Sequence, residues 1–462
     1  MVFDALKSIV GSRGWTSDAE RLEPHLTEWR GSWRGNTPLM LMPATTDETA
    51  AIVKTCAEAG LGIVPQGGNT GLCGGAIPDQ SGEQILLSLS RMRRIRAVSA
   101  DNYSMIAEAG CVLEDLQRAA ADAGRLLPLS LAAEGSCQIG GNLSTNAGGT
   151  NVLRYGTARD QVLGLEVVLA DGRVIDGLRT LRKDTAGYDL KQLFIGSEGT
   201  LGIITAASLR LFPPVSALGT AWLAVQSPQA AVALLAELRI RLADQLQAFE
   251  LISDRALDFV LRHRAGTRGP LGTDAAWHVL VECAIPCGEA AFEGVLMDLL
   301  GASMATDAAV AKNASERDQF WQLRHAISEA QKAEGASLKH DVSVPVDAIG
   351  RFIDEASEAV IKFVPDARIV AFGHVGDGNV HFNVSQPRIW DGEKFLALRD
   401  DVAGIVYDTV ARFDGSFSAE HGVGVLKRDA LIKYRSATEV AVMRQLKQAL
   451  DPRNILNPGK VL

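Results

Sequence analysis

The sequence predicts a protein of two or three domains in which helices and strands alternate. Its 462 residues exceed the length that one hydrophobic core usually supports. A strand, a helix and a second strand follow one another between Leu39 and Pro65, which predicts a β-α-β unit near the start. The pair Pro213-Pro214 marks a boundary, and the order of helices and strands changes after about Ala217. We therefore expect a first domain that ends near residue 215.

The composition is that of an ordinary globular protein. Hydrophobic residues make up 47% and charged residues 22%, and the net charge of −9 argues against a nucleic-acid-binding surface. The sequence has neither a signal-like start nor an apolar run of about 18 residues. We expect a cytoplasmic protein without a transmembrane segment, and a peripheral association with a membrane stays open. The cysteines lie among apolar neighbours with no pairing framework, so we expect buried free thiols at Cys56, Cys73, Cys111, Cys137, Cys283 and Cys287.

A glycine-rich run follows the second strand of the β-α-β unit. The first forty residues predict a helix and then a tryptophan-rich polar segment, after which the unit begins. Residues 65–75 contain five glycines together with Asn69 and Thr70. Bare backbone N–H groups in such a loop bind anions, so a phosphate or pyrophosphate is the natural ligand. A flexible surface loop is the alternative, and the buried strand directly before the run disfavours it.

Two further glycine clusters, at residues 135–149 and 196–205, repeat this chemistry. The first two clusters are some seventy residues apart, which suggests one long ligand that lies across both. Neither a Rossmann nor a Walker motif occurs at a strand-to-helix junction, so those nucleotide sites are not supported. We expect intervening strands at residues 85–89, 105–109, 162–169 and 174–175, and a helix at residues 113–123.

The second half predicts helices at residues 230–242 and 316–332 and a strand at residues 278–284. Within the longer helix Arg324 and Ser328 are four residues apart and so share one face. Lys339 follows in a strand-like segment. Helix cations are usually only solvated, so spacing alone gives these residues little weight.

An Asp-Gly hairpin at residues 373–384 carries two histidines. Asp377-Gly378 predicts a two-residue type I′ turn, because both central positions of that turn need positive φ. This turn would pair His374 with His381 on one face, with Cβ atoms roughly 5 Å apart. Phe382 and Val384 alternate with His381 and Asn383, so we expect the opposite face to be apolar. Two such imidazoles form half of a metal site, and the alternative is that they only fill a polar sheet face.

The last part of the chain places a carboxylate beside an imidazole at Glu420-His421, between glycines. If the segment is a strand, adjacent side chains point to opposite faces and have different roles. A helix is expected before it at residues 395–413, and another near the end of the chain. The proline-containing tail at residues 450–460 predicts a docked segment.

Together these motifs resemble the FAD-dependent D-2-hydroxy acid dehydrogenases of the vanillyl-alcohol-oxidase superfamily, over nearly the whole chain. The resemblance implies an α+β fold. A two-lobed FAD-binding domain of the PCMH type would occupy residues 1–215, with its core at about 38–215. A substrate and metal-binding domain with an antiparallel sheet would occupy residues 216–420, and a C-terminal helical segment at 421–462 would return to the flavin.

The resemblance also implies the residues that bind FAD. The first cluster would surround the pyrophosphate, the second would form a wall beside the isoalloxazine ring, and the third would contact adenine and ribose. No histidine stands in the first two clusters, so non-covalent FAD is expected. The implied contacts are Pro65, Gly67, Gly68, Asn69, Thr70, Gly71, Leu72, Gly135, Gly140, Gly141, Asn142, Thr145, Asn146, Gly148, Gly149, Glu198, Gly199, Gly202, Ile203, Ile204 and Asn457.

By the same resemblance His374, His381 and Glu420 would be zinc ligands, and manganese or cobalt stay open as alternatives. His421 would be the general base. The substrate would be held by Arg324, Ser328, Lys339 and Asn383, where related enzymes often carry threonine in place of Ser328.

The expected reaction is oxidation of a D-2-hydroxy acid with hydride transfer to flavin N5. D-2-hydroxyglutarate is expected ahead of D-lactate or glycolate, because two cations beyond the metal favour a dicarboxylate. The electron acceptor would be an electron-transfer flavoprotein or a quinone, and a homodimer is compatible with the resemblance. A zinc hydrolase would leave the glycine clusters unexplained, and a non-catalytic flavin-binding subunit is a third alternative.

Overall fold

The computed structural model describes residues 2–272, 274–285 and 288–462. The chain forms two units. The first contains the segments up to Gly148, Gly156–Pro214 and Glu420–Leu462, and the second contains Gly149–Tyr155 and Val215–Ala419. Both units combine helices with mainly antiparallel sheets, which confirms the predicted α+β class.

The strands follow in chain order. Those of the first unit are β1 (Trp15–Thr16), β2 (Met40–Leu41), β3 (Ile63–Gln66), β4 (Ile85–Ser88), β5 (Ile95–Ser99), β6 (Ser104–Glu108), β7 (Val162–Val168), β8 (Val174–Asp176) and β9 (Ile203–Arg210). Those of the second unit are β10 (Leu218–Val225), β11 (Leu246–Ser253), β12 (Trp277–Ala284), β13 (Asp307–Val310), β14 (Ser337–Leu338), β15 (Asp341–Ser343), β16 (Arg368–Gly373) and β17 (Asn379–Ser385).

The α-helices connect these strands and form the C-terminal part. They are α1 (Val2–Val10), α2 (Ala19–Leu22), α3 (Thr46–Ala59), α4 (Leu113–Asp122), α5 (Ile139–Ser144), α6 (Val152–Tyr155), α7 (Lys191–Phe194), α8 (Pro228–Leu242), α9 (Asp254–His263), α10 (Glu289–Gly301), α11 (Ala314–His325), α12 (Ile327–Ala333), α13 (Ile349–Phe363), α14 (Gly392–Leu396), α15 (Arg399–Arg412), α16 (Arg428–Tyr434) and α17 (Ala437–Leu450). None of the helices in the described residues has the length and apolar character needed to cross a membrane.

The first unit has two lobes, each built on a sheet. One sheet has the order β1-β2-β4-β3, with β2 and β3 both parallel to β4, and α3 packs beside it as expected for a β-α-β unit. The other is antiparallel in the order β5-β6-β9-β7-β8. The core of the first lobe takes in Val168 and Ile203 from strands of the second, so the two lobes share buried apolar surface.

The C-terminal tail packs against the first lobe. Leu456 forms a parallel bridge with Ile63, the first residue of β3. Asp451 stabilises the turn that leads there, because its carboxylate accepts the backbone N–H groups of Ile455 and Leu456 at 3.0 and 2.8 Å. Lys447 donates to the same carboxylate and to the carbonyl oxygen of Thr200. The predicted docking of the tail is therefore confirmed.

An antiparallel sheet forms the second unit, in the order β13-β10-β12-β11-β16-β17-β14, and β15 also pairs with β17. Helices α9, α11 and α12 cover one face, where Phe372 belongs to a buried cluster. Helix α13 covers the opposite face, where the rings of Phe352 and Phe382 lie 5.7 Å apart. The predicted alternation of apolar Phe382 with polar His381 and Asn383 along β17 is thus confirmed.

The hairpin between β16 and β17 has a different register from the predicted one. Phe372, and not His374, lies opposite His381, and residues 374–378 form the connection. The type I′ prediction is wrong because only Gly378 of the central pair has positive φ, at +95°. The Asp377 carboxylate instead accepts the N–H of Asn379 at 3.1 Å, a local turn that competes with the tight hairpin. A shift of two residues keeps both imidazoles on one face, and their rings lie 5.4 Å apart.

The predicted helix at residues 316–332 is divided in two at Ala326, between α11 and α12. Ala326 keeps helical dihedral angles of −70° and −13°, so residues on either side of it retain helical spacing. Arg324 is buried, whereas Ser328 is exposed.

The described cysteines, Cys56, Cys73, Cys111, Cys137 and Cys283, are buried thiols outside any disulfide, as predicted. Burial raises the pKa of Cys56 and of Cys283 to about 12. Cys287 lies outside the described residues.

Candidate active site

A cavity of about 280 Å³ lies within the first unit, and segments of all three glycine clusters line it. The long-ligand hypothesis requires these separate segments to lie together, and the fold places them so. The predicted residues in the lining are Pro65, Gly67, Gly68, Asn69, Thr70, Gly71, Leu72, Gly140, Gly141, Asn142, Thr145, Gly148, Glu198, Gly199, Gly202, Ile203 and Ile204.

The glycines let these segments approach more closely than larger residues would allow. A Cβ atom on Gly68 would lie 2.1 Å from the carbonyl oxygen of Ser136, and one on Gly148 would lie 2.8 Å from Oε1 of Glu420. Both distances are shorter than a carbon–oxygen contact permits. The wall at Gly68 therefore depends on glycine, because the opposing atom belongs to the backbone, whereas at Gly148 the opposing atom is the end of a flexible side chain.

The polar atoms of the cavity fit FAD. Oε1 of Gln138 and Oδ1 of Asn142 in the lining are buried and have no hydrogen-bond partner among the described residues, and the same holds for Oδ1 of Asn457, whose amide contacts the lining residues Gly75 and Glu198. Unsatisfied buried acceptors are costly unless a ligand supplies donors, and a flavin ring with its ribityl chain carries N–H and O–H donors. The glycine-rich loop offers backbone N–H groups for the pyrophosphate.

Four predicted FAD contacts lie outside the cavity lining, namely Gly135, Asn146, Gly149 and Asn457. Asn146 accepts the N–H of Arg159 at 3.0 Å and so stabilises its own loop. Gly149 begins the short segment that belongs to the second unit. Asn457 donates to the carbonyl oxygens of Gly75 and Glu198 at 2.8 and 2.7 Å, so the C-terminal tail ties two walls of the cavity together.

The N-terminal segment supports the first glycine cluster, which the sequence did not reveal. Nδ1 of His25 lies 2.5 Å from Oε1 of Gln66 at the end of β3. Asn69 donates its side-chain N–H to the carbonyl oxygens of Pro24 and Thr27, both at 3.2 Å. The side chain of Asn69 is thus occupied by protein contacts, and its loop offers backbone N–H groups to a ligand.

Glu420 and His421 also line this cavity. They lie in an irregular loop and not in a strand, so the prediction that they point to opposite faces of a sheet is wrong. Bends at residues 419–421 and Gly422, with a φ of +73°, give this segment a conformation that is not extended. His421 is therefore placed beside the predicted flavin site by a loop of the first unit.

Glu198 holds this loop in place. Its carboxylate accepts the backbone N–H groups of Val423 and Gly424 at 2.6 and 2.8 Å. Burial raises the pKa of Glu198, and these two hydrogen bonds oppose the rise. The family resemblance implies an adenine or ribose contact from the segment that contains Glu198, and in the structure the side chain of Glu198 supports the segment that carries His421.

In the second unit a row of polar side chains crosses one face of the sheet. Glu250 directly precedes Leu251, which pairs with Gly373, and Oε1 of Glu250 lies 2.5 Å from Nδ1 of His374. Asp341 lies opposite His381, with 3.5 Å between Oδ1 and Nδ1. Each imidazole thus has a carboxylate at Nδ1, the arrangement that orients histidines for metal binding through Nε2.

Arg324 joins this row from helix α11. Its Nε donates to Oε2 of Glu250 at 2.7 Å, and its guanidinium lies 4.8 Å from the centre of the Phe372 ring. Burial alone would raise the pKa of Glu250, but the charges of His374 and Arg324 and their hydrogen bonds lower it to about 2. No motif pointed to Glu250, because it lies in a continuous buried strand, β11.

Lys339 and Asn383 lie further along the same face. Nζ of Lys339 donates to Oε1 of Gln331 at 2.7 Å, and Nδ2 of Asn383 donates to the same oxygen at 3.2 Å. Asn383 also accepts the backbone N–H of His340 at 3.3 Å. Both predicted substrate-binding residues are therefore fixed by one glutamine, which the sequence did not single out.

Comparison with known proteins agrees with this picture. The family model described as "FAD binding domain" matches residues 37–177, and the one described as "FAD linked oxidases, C-terminal domain" matches residues 216–461. The chain is 38% identical over 459 residues to the mitochondrial D-2-hydroxyglutarate dehydrogenase of Arabidopsis thaliana, which covers 99% of this chain and 80% of that protein.

A bacterial relative and a solved structure extend the comparison. The D-2-hydroxyglutarate dehydrogenase of Xanthomonas citri pv. viticola is 38% identical over 444 residues, which cover 95% of this chain and 92% of that protein. The structure of p-cresol methylhydroxylase with substrate bound superimposes with a TM-score of 0.78 at 17% identity, over 100% of this chain and 96% of that one. At that identity the structural likeness shows the fold alone.

These matches confirm the resemblance that the glycine clusters, the histidine pair and the Glu420-His421 segment indicated. The chain belongs to the FAD-linked oxidase family, with the FAD-binding domain in its first part and the C-terminal domain of the family in its second.

Proposed function

We propose that the protein oxidises D-2-hydroxyglutarate to 2-oxoglutarate, with non-covalently bound FAD and a divalent metal, zinc before manganese or cobalt. The observation that carries the proposal is the polar row on the sheet of the second unit. It combines two carboxylate-backed imidazoles with Arg324 and, further along, Lys339. The names of the similar dehydrogenases support the choice of substrate.

His374, His381 and Glu420 are the proposed metal ligands. Two imidazoles and one carboxylate leave an open position for substrate, the composition of a catalytic zinc site. The contacts of Nδ1 with Glu250 and Asp341 support metal binding through Nε2 of each histidine. The residue before Glu420, Ala419, donates its N–H to the carbonyl oxygen of Asp341 at 3.2 Å, and this bond anchors the chain just ahead of the third ligand.

FAD bound in the glycine-lined cavity would supply a hydride acceptor, and a metal held by His374, His381 and Glu420 would supply Lewis-acid activation of a substrate hydroxyl. His421 takes the hydroxyl proton as general base, since a neutral imidazole is available near pH 7. The planar guanidinium of Arg324 binds a substrate carboxylate through bidentate hydrogen bonds. Lys339 and Asn383 hold a second carboxylate, and the exposed hydroxyl of Ser328 contributes a further hydrogen bond.

We assign the proposed functions to three ranges of the chain. Residues 1–215 bind FAD, residues 216–420 bind substrate and metal, and residues 421–462 return to the flavin. Three further features rest on the family resemblance. They are an electron-transfer flavoprotein or quinone as electron acceptor, a homodimer, and adenine and ribose contacts from the third glycine cluster.

Anaerobic reduction of the flavin tests the proposed function. The purified holoenzyme is mixed with D-2-hydroxyglutarate, D-lactate or glycolate, and flavin absorbance is followed by stopped flow. We expect D-2-hydroxyglutarate to give the largest second-order rate constant for flavin reduction. Faster reduction by D-lactate or glycolate would assign the protein to that activity instead, and no reduction by any of the three would contradict a dehydrogenase function.

A chelator experiment tests the metal. Removal of the metal should abolish reduction by substrate while the protein stays yellow, and zinc, manganese or cobalt added back separately identifies the ion. Full activity in metal-free protein would refute the metal assignment.

A further inference from the structure

A fully buried glutamine links the two residues at the far end of the polar row. The side chain of Gln331 has no exposed surface. Its Oε1 accepts from Nζ of Lys339 at 2.7 Å and from Nδ2 of Asn383 at 3.2 Å, and its Nε2 donates to the carbonyl oxygen of Ile327 at 3.2 Å. These partners fix which end of the amide faces Lys339, because both partners of Oε1 are donors and the partner of Nε2 is an acceptor.

The strand register brings Lys339 and Asn383 together. The pairs Leu338–Val384 and Asp341–His381 belong to one antiparallel register, so Lys339 lies opposite Asn383. Directly opposed residues on one face have Cβ atoms about 5 Å apart. Gln331 therefore reaches two neighbouring donors from helix α12, above the sheet.

Gln331, Lys339 and Asn383 lie at a distance from the proposed metal ligands that the strand and helix geometry sets. Asn383 follows His381 by two residues on β17, so both side chains share a face and lie roughly 7 Å apart along the strand. On the helix side, Gln331 follows Arg324 by seven residues, about two turns further along the same face. Arg324 contacts Glu250, whereas Gln331 contacts Lys339. Arg324 and the pair Lys339 and Asn383 are thus two separate cationic or polar groups on one face of the sheet.

We propose that Gln331 is a specificity-determining residue that builds a subsite for the second carboxylate of a dicarboxylic 2-hydroxy acid, by holding Lys339 and Asn383 in one fixed orientation. The inference rests on the proposed function and deepens it by naming the residue that positions Lys339 and Asn383. A neutral acceptor suits this role, since it orients the ammonium group of Lys339 without cancelling its charge. A glutamate at this position would neutralise the charge, and an apolar residue would leave two donors without this acceptor.

Two substitutions test the proposal in the FAD- and metal-loaded enzyme. Gln331→Met keeps the volume and removes the acceptor, and Gln331→Glu keeps an acceptor and adds a negative charge. Gln322→Met is the matched control, because Gln322 lies exposed on α11 and contacts Arg264. KM and kcat are measured for D-2-hydroxyglutarate and for D-lactate, which lacks the second carboxylate.

We expect Gln331→Met to raise KM for D-2-hydroxyglutarate about tenfold or more, as the loss of a hydrogen bond to a charged group implies. The change for D-lactate should stay below about twofold, and Gln331→Glu should show the larger loss for the dicarboxylate. Equal changes for both substrates would reduce Gln331 to a packing residue and overturn the proposal. Unchanged KM for D-2-hydroxyglutarate in Gln331→Met would overturn it as well.

Product binding gives a readout that does not depend on turnover. Calorimetric titration of the holoenzyme with 2-oxoglutarate and pyruvate compares a dicarboxylate with a monocarboxylate. Tighter binding of 2-oxoglutarate, with the preference lost in Gln331→Met, supports the subsite even if the protein oxidises neither hydroxy acid. A protein that oxidises neither hydroxy acid would refute the proposed function but not the subsite. A wild-type protein that binds both products equally would refute the subsite.

Discussion

The carboxylate of Glu250 lies 2.5 Å from Nδ1 of His374 and also accepts a hydrogen bond from Arg324. One buried acidic side chain therefore connects a proposed metal ligand with a proposed substrate-binding cation. A change at Glu250 should affect both functions together, whereas a change at either partner should affect mainly one.

Glu250→Gln should weaken zinc binding by roughly ten- to a hundredfold, because the carboxylate that orients His374 is replaced by a weaker acceptor. Competition titration of the metal-free protein with a zinc-sensitive dye measures the change. Glu358→Gln, on an exposed position of α13, is the control and should leave zinc affinity unchanged. Unaltered affinity in Glu250→Gln would show that Glu250 does not support the metal.

His421→Ala should retain bound FAD and lose turnover by about 10²- to 10⁴-fold, the contribution expected of a general base. Visible absorption reports the flavin, and steady-state kinetics with D-2-hydroxyglutarate report kcat. A variant with nearly normal kcat would remove His421 as the base.

Glu198→Ala should lower kcat about tenfold or more without loss of FAD, because the loop that carries His421 loses two hydrogen bonds to its backbone. Glu198→Gln keeps a carbonyl acceptor and should recover part of the rate. The exposed Glu58 supplies the control Glu58→Ala. A colourless Glu198→Ala protein would instead indicate that Glu198 binds the cofactor.

The hairpin loop predicts that a substitution at either residue of Asp377-Gly378 destabilises the protein. Gly378→Ala should destabilise the protein by about 1–3 kcal/mol, since φ at this position is +95° and a Cβ atom would lie 2.5 Å from the carbonyl oxygen of Val344. Asp377→Gly should also destabilise it, because it removes the hydrogen bond to Asn379 and adds backbone freedom. A type I′ turn would instead tolerate or favour glycine at residue 377. The free energy of unfolding of the metal-free variants, measured with denaturant, distinguishes the observed turn from a type I′ turn.

Stability should fall in mild acid because of His278. Burial lowers the pKa of His278, and the charge of Asp254, 3.9 Å away, only partly opposes this effect. As pH falls below about 6.5, the unfolded chain takes up a proton that the folded protein resists, so stability decreases by at most about 1.4 kcal/mol per pH unit. His278→Leu should lose less stability than the wild type between pH 7.5 and 5.5. An identical pH dependence of the melting temperature in both proteins would contradict this account.

Local patterns predicted a large part of the fold. The β-α-β unit, the glycine clusters, the alternation along β17 and the docked tail all follow from residues close together in sequence, since strand periodicity and glycine conformation are local properties. Most of the residues that the sequence indicated as flavin contacts line one cavity, and the two histidines were placed on one face despite a wrong register. The face was correct because side chains on a strand alternate with a period of two, so a register shift of two residues leaves each side chain on the same face.

The sequence by itself therefore determined the family, the α+β class and the chemical types gathered at the site. Only the tertiary structure decided the hairpin register and the supporting contacts of Glu250, Gln331 and Glu198. Glu250 is 124 residues from His374 in the chain, and Glu198 is 225 residues from Val423. No periodicity or motif relates residues at such separations. Packing of strands and helices brings them together, and burial then makes their hydrogen bonds obligatory.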